Sequence, residues 1–190
     1  MYAPTHFKGV DVALRALDDL RQTHPDLQVI AFGTGPVRRD LPLPPGSHYE
    51  RAPAQDKLRE IYASCDVFLS ASRSEGFGLP ILEAMACRTP VVATRTGCAE
   101  DMIENGIEGH VAAVGDAKGL AEGVRAVLDL PEAGWQRMSE AARARTTSYT
   151  WNDATTLFQE ALRVPNGREP VTETVSESPS AAGGTRCGDR

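Results

Sequence analysis

The sequence predicts an α/β fold in which a parallel, doubly wound sheet carries helices on both faces. Two observations point there. Short runs such as "LQVIAFG", "DVFLSAS" and "PVVAT" are almost wholly apolar, as strands covered on both faces must be. Between them lie longer segments whose apolar residues recur at helical spacing, and consecutive parallel strands need such crossovers. A chain of 190 residues is also long enough for one domain that removes roughly 70% of its unfolded surface from water.

Taken in order, "VDVALRALDDLRQTH" places Val10, Ala13, Leu14, Leu17 and Leu20 on one helical face, and Pro25 closes it. "LQVIAFG" is then a buried strand running into the turn "GTGP". A Pro-rich loop leads through a short strand at His48 to Arg51 into "AQDKLREIYASC", which is helical by spacing. "DVFLSAS" is a second buried strand. It is followed by "SEGFGLPILEA", a helix from about Leu79 to Cys87, and the strand "PVVAT". "AEDMIEN" reads as a short helix stopped by Gly106, "GHVAAV" as a strand, and "DAKGLAEGVRAVLDL" as a helix capped by Asp116. Two helical stretches, "PEAGWQRMSEAARARTTS" and "WNDATTLFQEALRV", complete a domain expected to span 1–164. From Pro165 the composition turns small and polar, too poor in apolar residues to offset ordering entropy, so 165–190 is expected to be a disordered tail.

Charge and cysteine usage exclude several classes. A formal net charge of −6 and a pI near 5.3 argue against affinity for nucleic-acid phosphates or anionic lipid. Cys65, Cys87, Cys98 and Cys187 lack C-x-x-C spacing, and His24, His48 and His110 share no metal-ligand spacing, so no metal site is expected. Arg143 and Arg145 share a helix with Glu140 and read as a solvated face. No apolar run approaches the ~20 residues of a membrane span, and no signal-peptide pattern opens the chain. A reduced cytoplasmic location is expected, with peripheral attachment to the inner face of the membrane left open.

The chemistry concentrates in "SEGFGLPILEA". Gly76 and Gly78 let the backbone turn sharply and let a ligand approach, while the first-turn N–H groups of the following helix form an anion site. Pro80 lies in that first turn, where its missing N–H costs nothing. Glu75 and Glu83 then flank the turn. Carboxylates repel a bare phosphate but accept hydrogen bonds from hydroxyls, so a sugar joined to a nucleoside diphosphate suits both features. The same spacing is equally that of a tight strand-to-helix connection whose glutamate complements the helix dipole.

The stretch "SEGFGLPILEAMACRTPVVAT" resembles the E-x7-E signature of retaining glycosyltransferases of the GT-B fold, and the likeness runs from "FKG" to "YTWNDATTLFQEAL", about residues 7 to 163. The resemblance implies a Rossmann-like domain corresponding to the C-terminal, donor-binding half of that fold. It implies that Glu75 lies against the donor sugar and takes part in the chemistry. Gly76, Phe77, Gly78 and Leu79 then supply amides to the sugar and diphosphate, Glu83 holds the ribose hydroxyls, and Lys8 meets the diphosphate. Gly33 and Gly35 match a strand-end turn near the nucleotide. No cofactor or metal is implied, because a lysine and helix-terminal amides can stabilise the leaving diphosphate.

Departures from the pattern carry their own expectations. No arginine precedes Lys8 as a second cation, and His6 is a poor substitute at neutral pH. Arg88 stands where the family has glycine, at a position expected to be left-handed. Cys98 replaces a second glycine and is expected to narrow the pocket. The acceptor half of a GT-B enzyme has no counterpart in the sequence, so another domain or partner chain is expected to supply it. Trp151, Leu157 and Phe158 are then expected to form an exposed apolar patch. A non-catalytic interaction module and a truncated fragment of such an enzyme are the alternatives.

Overall fold

The computed structural model describes residues 1–147 and 150–163, so the expected tail 165–190 lies outside the described residues. The chain divides into two compact units, Met1–Thr150 and one that begins at Trp151.

In the first unit a 3-10 turn at His6–Lys8 leads into α1 (Val10–Thr23), followed by β1 (Ile30–Gly33), β2 (His48–Arg51) and α2 (Gln55–Ala63). Then come β3 (Phe68–Ser70), α3 (Leu79–Ala86), β4 (Val91–Thr94), α4 (Ala99–Met102), β5 (Gly109–Ala112), α5 (Ala117–Leu128) and α6 (Glu132–Thr147). Asp116 caps α5 as its sequence position predicts, its carboxylate accepting the Gly119 N–H at 2.9 Å.

Among the described residues all strand pairs are parallel, and they form two ladders, β1–β2 and β3–β4–β5. The strands were expected in one sheet. β1 and β3 are not hydrogen-bonded to each other, and a cavity of about 210 Å³ separates them, lined by side chains such as Leu14, Phe32, Ile61, Phe68 and Leu69. Beside β1, the Tyr2 N–H donates to the Phe32 carbonyl at 2.7 Å, and the Tyr2 side chain is buried.

Helices cover both faces because β4 alternates. Val91 and Ala93 join Ile61, Tyr62, Phe68, Ile81, Met85 and Ala142 on one side. Val92 joins Val12, Ala16, Leu20, Leu120, Val124 and Met138 on the other. Side chains from α2 and α3 therefore fill one apolar layer and those from α1 and α5 the opposite one, while α6 contributes Ala142 to the first and Met138 to the second.

After α3 the backbone of Arg88 is left-handed at φ +67°, as its position predicts. Its side chain pairs with Glu140 of α6, and its carbonyl accepts the Ser139 hydroxyl at 2.6 Å. α6 is thus tied to the end of α3 at a position whose strain a glycine would relieve. Arg145, expected on a solvated face, also donates to the Asp101 carbonyl at 2.6 Å. Among the described residues no helix is long and apolar enough to cross a membrane.

α7 (Trp151–Arg163) belongs to the second unit. It is strongly amphipathic, and Trp151, Leu157, Phe158 and Leu162 are all exposed, as expected for the first three.

Candidate functional site

The turn between β3 and α3 is built from its neighbours upward. Gly9 is left-handed at φ +59° and opens α1, and a Cβ there would stand 1.9 Å from the Ala71 carbonyl oxygen. That contact lets the Phe7–Gly9 backbone dock on the end of β3. The Phe7 carbonyl accepts the N–H groups of Arg73 at 2.7 Å and Ser74 at 3.3 Å. Arg73 then forks onto Asp11 of α1, at 2.7 and 2.6 Å.

The Arg73 guanidinium beside it holds the Asp11 carboxyl down to about 2. A depressed acid contributes stability that is present above its unfolded value of 3.8 and is lost as pH falls toward 2. Asp11→Asn is expected to flatten the acid limb of stability over that window. The loss at neutral pH is expected to stay under about 1 kcal/mol, because the pair is partly solvated. Urea unfolding at a series of pH values reads this directly, and an unchanged acid limb contradicts it.

This docking brings two of the predicted residues together. Lys8 Nζ lies 2.7 and 2.9 Å from the two carboxylate oxygens of Glu75, and the Ser72 hydroxyl donates to Oε1 at 2.6 Å. The Glu75 side chain is 11% exposed and that of Lys8 25%. An ammonium has three N–H donors, so Lys8 retains one for a further acceptor. Ser72 is buried, and its carbonyl accepts the Thr94 hydroxyl from the end of β4. Lys8, Ser72, Glu75 and Pro80 line a hollow of about 10 Å³, room for one water.

Gly76, Phe77, Gly78 and Leu79 form the mouth of α3. Gly78 is left-handed at φ +91° and caps the helix. Ile81 donates to the Gly78 carbonyl at 2.9 Å, and Pro80 has no N–H. The amides of Gly76 to Leu79 make no hydrogen bond among the described residues. Nor do their side chains plug the turn, since Phe77 is 55% and Leu79 54% exposed. Gly76, Phe77 and Leu79 are exposed and Gly78 is buried between them, so the mouth of the helix holds unsatisfied donors, which is what an anion would meet.

Support comes from below. A Cβ at Gly97 would lie 2.4 Å from the Phe77 carbonyl oxygen, and that carbonyl accepts the Cys98 N–H at 2.7 Å. Cys98 was expected to narrow the pocket. It is instead buried under the turn, its Sγ 3.8 Å from the Gly78 carbonyl, because the loop after β4 packs beneath the glycines. Gly97 and Ser72 were not singled out from sequence. Ser72 belongs to no recognisable spacing, and each acts through a contact made only on folding.

Glu83 is held apart from Glu75, one turn into α3. Its Oε2 accepts the Tyr62 hydroxyl at 2.9 Å, and it does not line the hollow at Glu75. Gly33 and Gly35 lie at the end of β1. A Cβ at Gly33 would stand 2.0 Å from the Tyr2 carbonyl oxygen, so close packing already requires glycine there. Gly35 has open space at its Cβ, and its carbonyl accepts the Tyr49 hydroxyl. Among the described residues no group of three or more His, Cys, Asp or Glu is placed to hold a metal ion.

Comparison with known proteins agrees with this architecture. The chain is 34% identical over 161 residues to the sulfoquinovosyl transferase SQD2 of Arabidopsis thaliana, covering 80% of the chain and 31% of that protein. It is 33% identical over 182 residues to the glycogen synthase of Mycobacterium tuberculosis, covering 87% of the chain and 44% of that protein. Among solved structures, Anabaena Alr3699/HepE in complex with UDP and glucose superposes with a TM-score of 0.68 at 23% identity, over 85% of this chain and 46% of that one. The chain thus spans less than half the length of these relatives. At that identity the superposition speaks for the fold alone: a Rossmann-like α/β unit of the GT-B type. Residues 4–145, which hold the docked Lys8, the glycine turn and Glu83, match the family described as glycosyl transferases group 1, and the chain belongs to that family.

Proposed function

We propose that this chain is the donor-binding half of a retaining glycosyltransferase, which moves a sugar from a nucleoside diphosphate to an acceptor. The observation that carries the reading is the open turn Gly76–Leu79 at the mouth of α3, set beside the Lys8–Glu75 pair. The diphosphate sits against the free amides and the remaining N–H of Lys8. Glu83 accepts from the ribose hydroxyls, and Glu75 faces the donor sugar. When the bond from the sugar to the diphosphate breaks, its electron pair stays on the phosphate oxygen, and Lys8 and the amides stabilise that charge. The acceptor hydroxyl's oxygen takes the vacated position on the same face of the sugar and its proton passes to the departing phosphate oxygen, an outcome supported by the resemblance of the Glu75-to-Glu83 spacing to that of retaining enzymes.

No metal is required in this scheme, since a fixed cation and the helix dipole meet the developing charge. Nucleoside-diphosphate sugars are soluble and charged, so the reading places the chain in the cytoplasm. The acceptor comes from a second domain or a partner chain, and that partner determines any attachment to the inner face of the membrane.

Titration calorimetry with UDP, GDP and ADP and their glucose conjugates tests the reading. One of the series is expected to bind, and Glu83→Ala is expected to weaken it about tenfold, the loss of hydrogen bonds to a charged acceptor. Silence from every nucleotide overturns it. The exposed apolar residues of α7 favour one second reading, a non-catalytic module that pairs with another chain; a stable complex formed without nucleotide affinity would support that instead.

A further inference from the structure

Tyr62 is a core residue with a polar task. Its ring is 3% exposed and stands edge-on between Phe32 and Phe68, with centroids 5.5 and 5.3 Å away. Its backbone carbonyl is fixed by the Thr89 hydroxyl at 2.7 Å. A phenylalanine fills such a slot equally well, so packing does not explain the hydroxyl. That hydroxyl meets Glu83 Oε2 at 2.9 Å, across 21 residues of sequence. Burial, followed by the neighbouring carboxylate, pushes the phenol pKa well above its ordinary value, so it remains a protonated donor through the working range of pH.

Glu83 is half-buried, and a glutamate side chain without a fixed partner rotates among several orientations. A fixed phenol removes that freedom, because it anchors one oxygen and leaves the other in a set direction. We propose that Tyr62 is a positioning residue for ribose recognition: its hydroxyl locks Glu83 Oε2 so that Oε1 is presented, preoriented, to the ribose hydroxyls of the donor nucleotide. The inference rests on the donor-site reading above and adds to it the residue that sets discrimination at the sugar of the nucleotide. A hydroxyl in an aromatic core thereby holds a half-buried acid still, which lowers the ordering cost of binding.

The test compares wild type with Tyr62→Phe by calorimetry, using the nucleoside diphosphate that binds best and its 2′,3′-dideoxy counterpart. In the wild type the ribose form is expected to bind about tenfold more tightly than the dideoxy form. In Tyr62→Phe the ribose form is expected to weaken about fivefold while the dideoxy form stays within twofold, because only the former uses Glu83. A general disturbance of the core would weaken both equally, and that result overturns the inference while sparing the donor site. A wild type that binds no nucleotide overturns both. Should Tyr62→Phe fail to fold, Glu83→Gln serves as the second variant. Its amide can still accept the phenol proton but loses the charge, and it is expected to bring the ribose form to within twofold of the dideoxy form; persistence of the wild-type ratio overturns the inference.

Discussion

Substituting Gly9 with alanine is expected to destabilise the protein by about 2–4 kcal/mol, the sum of a left-handed residue with a Cβ and a hard clash against fixed backbone. The added carbon would meet the Ala71 carbonyl oxygen at 1.9 Å, and no side-chain rotation relieves a contact between main-chain atoms. For a chain of this length that loss corresponds to a fall of about 5–15 °C in Tm. The same change moves the turn that carries Lys8, so nucleotide affinity is expected to fall with it. Gly35→Ala is the control, because open space surrounds its Cβ, and its Tm is expected to hold within about 1 °C. A Gly9→Ala melt that matches wild type contradicts the docking argument.

Removing Lys8 is expected to have the largest effect on binding. Lys8→Ala deletes the cation that meets the diphosphate and leaves Glu75, with an 11% exposed side chain, beside the incoming anion. Affinity for a nucleoside diphosphate is expected to drop on the order of 10- to 100-fold, the worth of a charge-assisted contact plus the new repulsion. Affinity for the nucleoside alone is expected to be little changed. Stability is expected to fall too, by about 1–3 kcal/mol, because a largely buried carboxylate loses its partner. Pairing the change with Glu75→Gln removes the stranded charge, so the double variant is expected to regain stability without regaining affinity. A double variant less stable than Lys8→Ala alone would show that the two side chains do not act as a pair.

Much of the scaffold was legible in the sequence because it rests on local rules. The apolar runs at Ile30–Gly33, Phe68–Ser70 and Val91–Thr94 became strands, Asp116 capped its helix, and Pro80 stood at the start of α3. The glycine turn was legible for the same reason. Relations across distance were not. Spacing does not reveal that β1 and β3 fail to pair, since strand pairing depends on which edges the fold brings together. The grip of Arg73 on Asp11 spans 62 residues, and that of Lys8 on Glu75 spans 67. The resemblance placed Lys8 and Glu75 at one ligand, but only folding brings them into contact with each other. Gly33 illustrates the converse: a glycine read as part of a nucleotide turn is already required by the approach of Tyr2.

The central claim is that the open amides of Gly76–Leu79 receive the diphosphate of an activated sugar. Following backbone amide resonances by NMR while a nucleoside diphosphate is added tests it most directly. The account predicts that the largest shifts fall on Gly76, Phe77, Gly78 and Leu79, with Lys8 and Glu83 following at the same midpoint. Saturable shifts confined to other parts of the chain, with those four amides unmoved, would contradict it.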